Sequence, residues 1–339
     1  MRVLDFSSRP GGGLSPLPPD TAACLGAFDG MHRGHQGLIA RARTCGREVA
    51  VVTFEPRPAD VLVPQTAPPR LQTPRQREQV CRDLGVDTLA ILPFDRAVSR
   101  MSPQAFVQGF LLDGLRPAAV VVGYDFHFGA DRSGGPAALQ RLLAPAGIPV
   151  SIVDKIVDDE GSIVGEKLGS TAIRELIASG EVERAAVLLG RLYAVAGTVE
   201  HGAARGRTLG FPTANVHSSL LHPRDGVYAC FLGLLDPPTS GPACWPAVAN
   251  IGSNPTFADS GATGRRTLEV HALDVDLGDR LYGQDVEVAF VARLRDERRF
   301  DDVEQLRAAI RRDIGTARPH LTDEAAARRH ATRVEAESP

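Results

Sequence analysis

Gly26-Ala27-Phe28-Asp29-Gly30-Met31-His32-Arg33-Gly34-His35 joins two stretches of different pattern, Thr21 to Phe28 and His32 to Arg43. The first reads as a strand that runs into a glycine turn, and the second as a helix. His32 and His35 stand at the start of that helix, so their rings share one face, a turn apart. A helix N-terminus attracts phosphate through its free N–H groups and its dipole. Gly26 and Gly30 let the backbone approach a ligand closely, and Gly34 removes a side chain from the contact surface. Two imidazoles placed there can donate hydrogen bonds to a pentavalent α-phosphate as its charge builds. A phosphate nucleophile is already ionised, so the protein mainly positions and neutralises.

Working outward, Glu48–Phe54, Thr88–Pro93, Ala118–Gly123 and Pro149–Val153 read as strands. Gln76–Leu84, Pro103–Leu112 and Leu139–Leu143 read as helices between them. That alternation predicts a parallel sheet with helices on both faces. Pro56, Pro58, Pro64, Pro68, Pro69 and Pro74 interrupt it, which predicts a long loop without regular structure. Loops of that length are often functional, and a lid and a plain surface excursion both fit. Two short helical patterns, Thr171–Ala178 and Glu181–Leu189, split at Gly180, close this half near residue 190.

From Arg191 the character changes. Tyr193–Val199, Gly226–Leu235, Ala247–Ile251, Thr267–Val275 and Asp285–Leu294 read as strands separated by Gly, Pro and Asp clusters. They predict an antiparallel sheet or small barrel. Gly197, Gly202, Gly206 and Gly210 recur regularly, as in a loop able to fold over phosphates. Phe211-Pro212-Thr213-Ala214-Asn215 follows, with a hydroxyl and a carboxamide two residues apart. In a strand the two share a face, and both are oxygen ligands suited to Mg²⁺ in γ-phosphoryl transfer. In Thr267-Leu268-Glu269-Val270-His271-Ala272, Glu269 alternates with apolar neighbours, so its carboxylate can face a substrate hydroxyl and take its proton. Val303, Leu306, Ile310 and Ile314 predict a closing helix, with Asp301 and Glu304 as its capping box. A frayed tail is expected beyond about Arg318.

The chain has 339 residues, enough for two domains, with 43% hydrophobic and 23% charged residues, as in a soluble globular protein. A net charge of −3 argues against nonspecific nucleic-acid binding as the main activity. The five cysteines, Cys24, Cys45, Cys81, Cys230 and Cys244, include no C-x-x-C pair, so free thiols in a reducing cytoplasm are expected. No targeting segment is expected near Met1, and the apolar runs are too short to span a bilayer.

The stretch from Gly26 to His35 resembles the H-x-G-H signature of nucleotidyltransferases, in the form found in the flavin adenylyltransferase branch. Val52-Thr53-Phe54-Glu55-Pro56-Arg57-Pro58, Val122-Gly123-Tyr124-Asp125-Phe126-His127-Phe128-Gly129 and Gly169-Ser170-Thr171-Ala172-Ile173-Arg174 extend that likeness. Gly206-Arg207-Thr208-Leu209-Gly210-Phe211-Pro212-Thr213-Ala214-Asn215, Asp225-Gly226-Val227-Tyr228, Ala249–Phe257, Leu268–His271 and Leu294–Phe300 occur in the order seen in riboflavin kinases. The whole resembles the bacterial bifunctional riboflavin kinases and FAD synthetases over roughly residues 20 to 318.

The resemblance implies a Rossmann-like nucleotidyltransferase domain over residues 1–190, a small antiparallel β-barrel kinase domain with a closing helix over 191–320, and a flexible tail over 321–339. It implies phosphorylation of riboflavin to FMN and adenylylation of FMN to FAD, with riboflavin, FMN, FAD and ATP as ligands and no nucleic acid or membrane. His32, His35 and Arg174 would act in adenylyl transfer and Glu269 as the kinase base. ATP would be held by Gly26, Phe28, Gly34, Ser170 and Thr171 in one half, and by Gly206, Gly210, Thr213 and Asn215 in the other. Thr213 and Asn215 would carry Mg²⁺, and Asp125, Phe126 and Phe128 the flavin. The first half departs from the family pattern at Ala27, Arg57, His127, Gly169 and Ala172, where asparagine, histidine, arginine, serine and arginine or another polar residue are usual. With His32, His35 and Arg174 intact, both activities are expected to persist. The alternative is a riboflavin kinase whose first domain has become a different nucleotidyltransferase or a binding module.

Overall fold

The computed structural model describes residues 1–7, 13–154, 168–201, 210–239, 242–253 and 266–331. They form two compact units. One comprises Met1–Pro68, Pro74–Gly169 and the chain from Ala331; the other comprises Pro69–Thr73 and Ser170–His330.

The first unit is built on a six-stranded, all-parallel sheet in the order β1-β4-β3-β2-β5-β6. The strands are β1 (Arg2–Asp5), β2 (Thr21–Leu25), β3 (Glu48–Glu55), β4 (Thr88–Pro93), β5 (Ala119–Gly123) and β6 (Val150–Val153). The central strands are mostly apolar because both faces are covered. Ala23 and Leu25 of β2 pack with Phe106, Leu111 and Leu139 on one face, and Ala22 and Cys24 with Leu38, Ile39 and Leu84 on the other. The helices are α1 (Arg33–Arg43), α2 (Pro58–Leu62), α3 (Pro74–Asp83), α4 (Pro103–Phe106) and α5 (Pro136–Leu143). After α4 the chain continues as a π-helical stretch, Val107–Leu115. From β2 the chain builds one side of the sheet through β3 and β4, then returns to the other side of β2 with β5. The C-terminal ends of β2 and β5 therefore flank a topological switch point, where ligands bind in open α/β sheets.

The second unit holds α6 (Ser170–Ser179), α7 (Val182–Leu189) and a closed six-stranded antiparallel barrel in the order β10-β11-β8-β7-β12-β9. Its strands are β7 (Tyr193–Glu200), β8 (Ala214–His217), β9 (Gly226–Leu234), β10 (Cys244–Ser253), β11 (Arg266–Ala272) and β12 (Asp285–Arg295). Leu268, Val270 and Ala272 of β11 are buried, while Thr267, Glu269 and His271 between them are half-buried on the outer face. α8 (Val303–Ala317) follows the barrel.

Several local expectations are corrected. Arg2–Asp5 is an edge strand that pairs with β4, too short and too exposed to show a period-2 pattern. The proline-crowded stretch is not structureless: it contains α2, and Pro69–Thr73 is held in the second unit, with Leu71 and Gln72 buried. Thr267–Val275 is shorter as a strand, because the chain turns at Asp274, whose φ is 58°. The N-cap of α8 is Asp302, whose side chain accepts from the Gln305 N–H at 2.8 Å and pairs with the Gln305 amide at 3.0 Å, one residue later than the Asp301–Glu304 box. The residues buried along α8 are Ala309, Asp313 and Ala317, with Asp313 paired to Arg295 at 2.7 Å; Val303 is exposed. Finally, the chain beyond Arg318 is structured as far as Ala331. α9 (Asp323–Ala327) is capped by Thr322 and buries Ala325, and the Leu192 N–H donates to the Arg328 carbonyl at 2.8 Å.

Candidate active sites

The turn after β2 is tightly wound. Phe28, Gly30 and Met31 have φ of 50°, 89° and 43°. Left-handed backbone at two non-glycine residues persists only where the surroundings impose it. Here Phe28 and Met31 are wholly buried, the Thr53 hydroxyl donates to the Ala27 carbonyl at 3.1 Å, and the Gln36 amide donates to the Met31 carbonyl at 2.9 Å. His32 is the N-cap of α1, its Nδ1 accepting from the His35 N–H at 3.4 Å. Its proton as a neutral ring therefore sits on Nε2. The rings of His32 and His35 stack, with centroids 3.7 Å apart and planes 20° apart, and Phe28 lies 4.9 Å from His35. Gly34 makes the stack possible, since a Cβ there would lie 3.0 Å from Nδ1 of His32. At Gly26 a Cβ would press on the Phe28 ring at 3.2 Å.

Across the switch point, the chain leaving β5 carries Asp125, Phe126 and Phe128. Asp125 is exposed and its carbonyl accepts from His127 at 2.7 Å; Phe126 is half-buried. Phe128 is buried, stacked on Phe126 at 5.6 Å and packed against Phe106. Ser170, Thr171 and Arg174 lie on α6 in the second unit, where the Arg174 Nε donates to the Pro69 carbonyl at 2.8 Å.

On the barrel, strand register brings four polar side chains into one row. Asn250 on β10 is opposite Glu269 on β11, Glu269 is opposite Asn215 on β8, and Asn215 is opposite Glu200 on β7. Directly opposed residues of an antiparallel ladder project from the same face, with Cβ atoms about 5 Å apart. Thr213 immediately precedes β8 and is half-buried. The His271 ring meets the Pro212 carbonyl at 2.8 Å and Phe211 edge-on at 5.6 Å, which fixes the approach to Thr213. Thr213 also lines an open cleft, with Val199, Val270, Leu277 and Tyr282 among its walls. Tyr282 stacks on His201 at 3.7 Å. Gly210 has a φ of 83°, whereas Gly197 lies inside β7 with no room for a Cβ against the His217 carbonyl. Gly202 and Gly206, and Asn254–Phe257 of the quoted motif, lie outside the described residues. Glu200 and Asn250 are the members of the row that sequence reading does not single out. Pairing the strands in register is the signal that finds them.

A parallel-sheet nucleotidyltransferase-like domain followed by a closed barrel with an oxygen-rich outer face defines a two-domain class of phosphate-transferring enzyme. Residues 15–167 match the FAD synthetase family and residues 189–321 the riboflavin kinase family. The bifunctional riboflavin kinase/FMN adenylyltransferase of Pseudomonas fluorescens is 39% identical, over 90% of this chain and 96% of its own length. That of Escherichia coli K12 is 37% identical over 90% and 94%. The chain belongs to the bifunctional riboflavin kinase/FMN adenylyltransferase family. The solved structure of a macrolide-efflux protein from Streptococcus pneumoniae matches 94% of this chain and 99% of its own, at 29% identity and a TM-score of 0.79. Among the described residues no helix is long and apolar enough to cross a membrane.

Proposed function

We propose that this chain converts riboflavin to FMN on its barrel and FMN to FAD on its sheet domain, each time with ATP. The observation that carries the reading is that each family region has its own polar cluster: the stacked His32–His35 pair in one, and the opposed Asn215 and Glu269, with Thr213 just before β8, in the other.

In the kinase step Glu269 takes the proton of the riboflavin 5′-hydroxyl. The freed oxygen attacks the γ-phosphorus of ATP, and the bond to the β-phosphate oxygen breaks to release ADP. The Thr213 hydroxyl and the Asn215 carboxamide, beside the Glu269 carboxylate, are hard oxygen donors, and they fit Mg²⁺. The bound ion would neutralise the charge of the transferring phosphate. Gly206 and Gly210 are assigned, on this reading, to the nucleotide.

In the second step a phosphate oxygen of FMN attacks the α-phosphorus of another ATP, and pyrophosphate leaves. Gly26, Phe28 and Gly34 shape the turn against which the nucleotide lies. His32 and His35 donate hydrogen bonds to the α-phosphate oxygens as charge develops. Ser170, Thr171 and Arg174 are assigned to the triphosphate, and Asp125, Phe126 and Phe128 to the walls of the flavin site. Phe128 does so from the core, by backing Phe126. The free thiols Cys24, Cys45, Cys81, Cys230 and Cys244 support a cytoplasmic setting.

Chromatography of riboflavin, ATP and Mg²⁺ with the purified chain tests this. FMN should appear first and FAD after it. Failure to make FAD from supplied FMN would remove the second activity, and failure to make FMN the first.

A further inference from the structure

Arg57 gathers the two segments that leave the C-terminal ends of the neighbouring strands β2 and β3. Its Nη1 donates to Asp29 at 2.7 Å, with the two side chains only 9% and 8% exposed. Its Nε and Nη2 fork onto the Asp60 carboxylate at 3.2 and 2.7 Å. Nη2 also donates to the Pro68 carbonyl at 2.8 Å. Four of the five N–H donors of the guanidinium are thus committed to two carboxylates and a carbonyl.

Asp29 lies between Phe28 and Gly30, two of the three left-handed residues of the turn that begins α1. A backbone in that conformation needs an anchor. A buried, charge-assisted bond holds one better than a neutral contact does. Asp60 and Pro68 fasten the other end of the anchor to the chain that follows β3. The planar fork is what allows one side chain to reach all three acceptors; a lysine ammonium has the charge but not the geometry.

We propose that Arg57 is a positioning residue for adenylyl transfer: through Asp29 it sets the turn that presents His32 and His35, and it is not itself a ligand of the nucleotide. This rests on the sheet domain making FAD, as proposed above.

The test uses the full chain, with riboflavin phosphorylation as an internal control of folding. The wild type is first supplied with FMN and ATP. If it makes no FAD, the proposed function falls and this inference with it. If it does, kcat for FAD formation in R57A should drop about 100-fold, the scale of a misplaced reacting group. KM for ATP should stay within about two-fold, because ground-state binding is untouched. R57K should recover part of the lost kcat. Unchanged constants in R57A overturn the proposal, and so does a raised KM for ATP at intact kcat, which would make Arg57 a nucleotide ligand. Should R57A also lose riboflavin phosphorylation, R57K is read in its place, and the same two constants decide.

Discussion

Glu269 on β11 and Asn215 on β8 are direct partners in the antiparallel ladder, so carboxylate and carboxamide rise side by side from the outer face of the barrel. A base held beside a proposed metal ligand should be sensitive to loss of its charge alone. Glu269→Gln should lower FMN formation about 10²- to 10⁴-fold, the usual worth of a general base. Adenylylation of supplied FMN should be unaffected. Asn215→Ala should instead raise the Mg²⁺ concentration needed for half-maximal FMN formation, as a Mg²⁺ titration of initial rates would read.

Gly34 is the space into which the His32 ring folds, with only 3.0 Å between its Nδ1 and the place a methyl would take. Gly34→Ala should tilt the ring off His35 and lower FAD formation about 10-fold or more. FMN formation in the same preparation should hold. Equal FAD rates for the variant and the wild type would show that the stacked geometry is dispensable.

Gly197 lets β7 approach the backbone of β8 at His217. A methyl at this position meets a carbonyl rather than a flexible side chain, so relief requires the strands to part. Gly197→Ala should destabilise the barrel by about 1–3 kcal/mol, in the range of overpacked cores. Chemical denaturation followed by far-UV circular dichroism measures it.

Burial lowers the pKa of His222 to about 4, with help from the nearby Arg266 and His217. The unfolded chain, with an ordinary pKa of about 6.5, then binds the proton more readily than the folded one. Stability is therefore unpenalised above that value and falls as pH drops from about 6.5 toward 4. His222→Gln should flatten this part of the profile. Thermal midpoints of both proteins between neutral pH and mild acid would reveal it.

Cys24, Cys81 and Cys230 are buried, and burial pushes the Cys24 and Cys230 thiols well above the ordinary range. Alkylation of the native protein at neutral pH should spare all three and reach at most the half-buried Cys45 and Cys244. Mass spectrometry after brief iodoacetamide treatment would count the sites.

Much of this molecule is legible in one dimension. Thr88–Pro93 can be read to the residue, because the buried apolar run Leu89–Leu92 is preceded by Asp87 and ended by Pro93, which cannot donate to a ladder. The alternation around Glu269 is enough to put its carboxylate outside the barrel wall, as the burial of Leu268, Val270 and Ala272 bears out. The capping box of α8 falls one residue from its expected place, since Asp301 and Asp302 offer the same chemistry and only the backbone decides between them. α9 is invisible in the sequence because five residues, three of them alanine, carry almost no period, and their order comes from packing.

Arg57 shows the same divide at a site. Along the chain it is a cation between two prolines after an apolar strand, and nothing more. Its partners lie 28 and 11 residues away, at Asp29 and Pro68, and next door at Asp60. The sequence by itself determined the two-domain order, the histidine pair and the alternation of Glu269, because short-range sterics and periodicity act between residues close in the chain. Only the tertiary structure decided which residue faces which: Glu200 and Asn250 in the row with Asn215 and Glu269, and Arg57 on Asp29. Strand register and buried ion pairs are settled by packing between distant segments, and no local pattern encodes that.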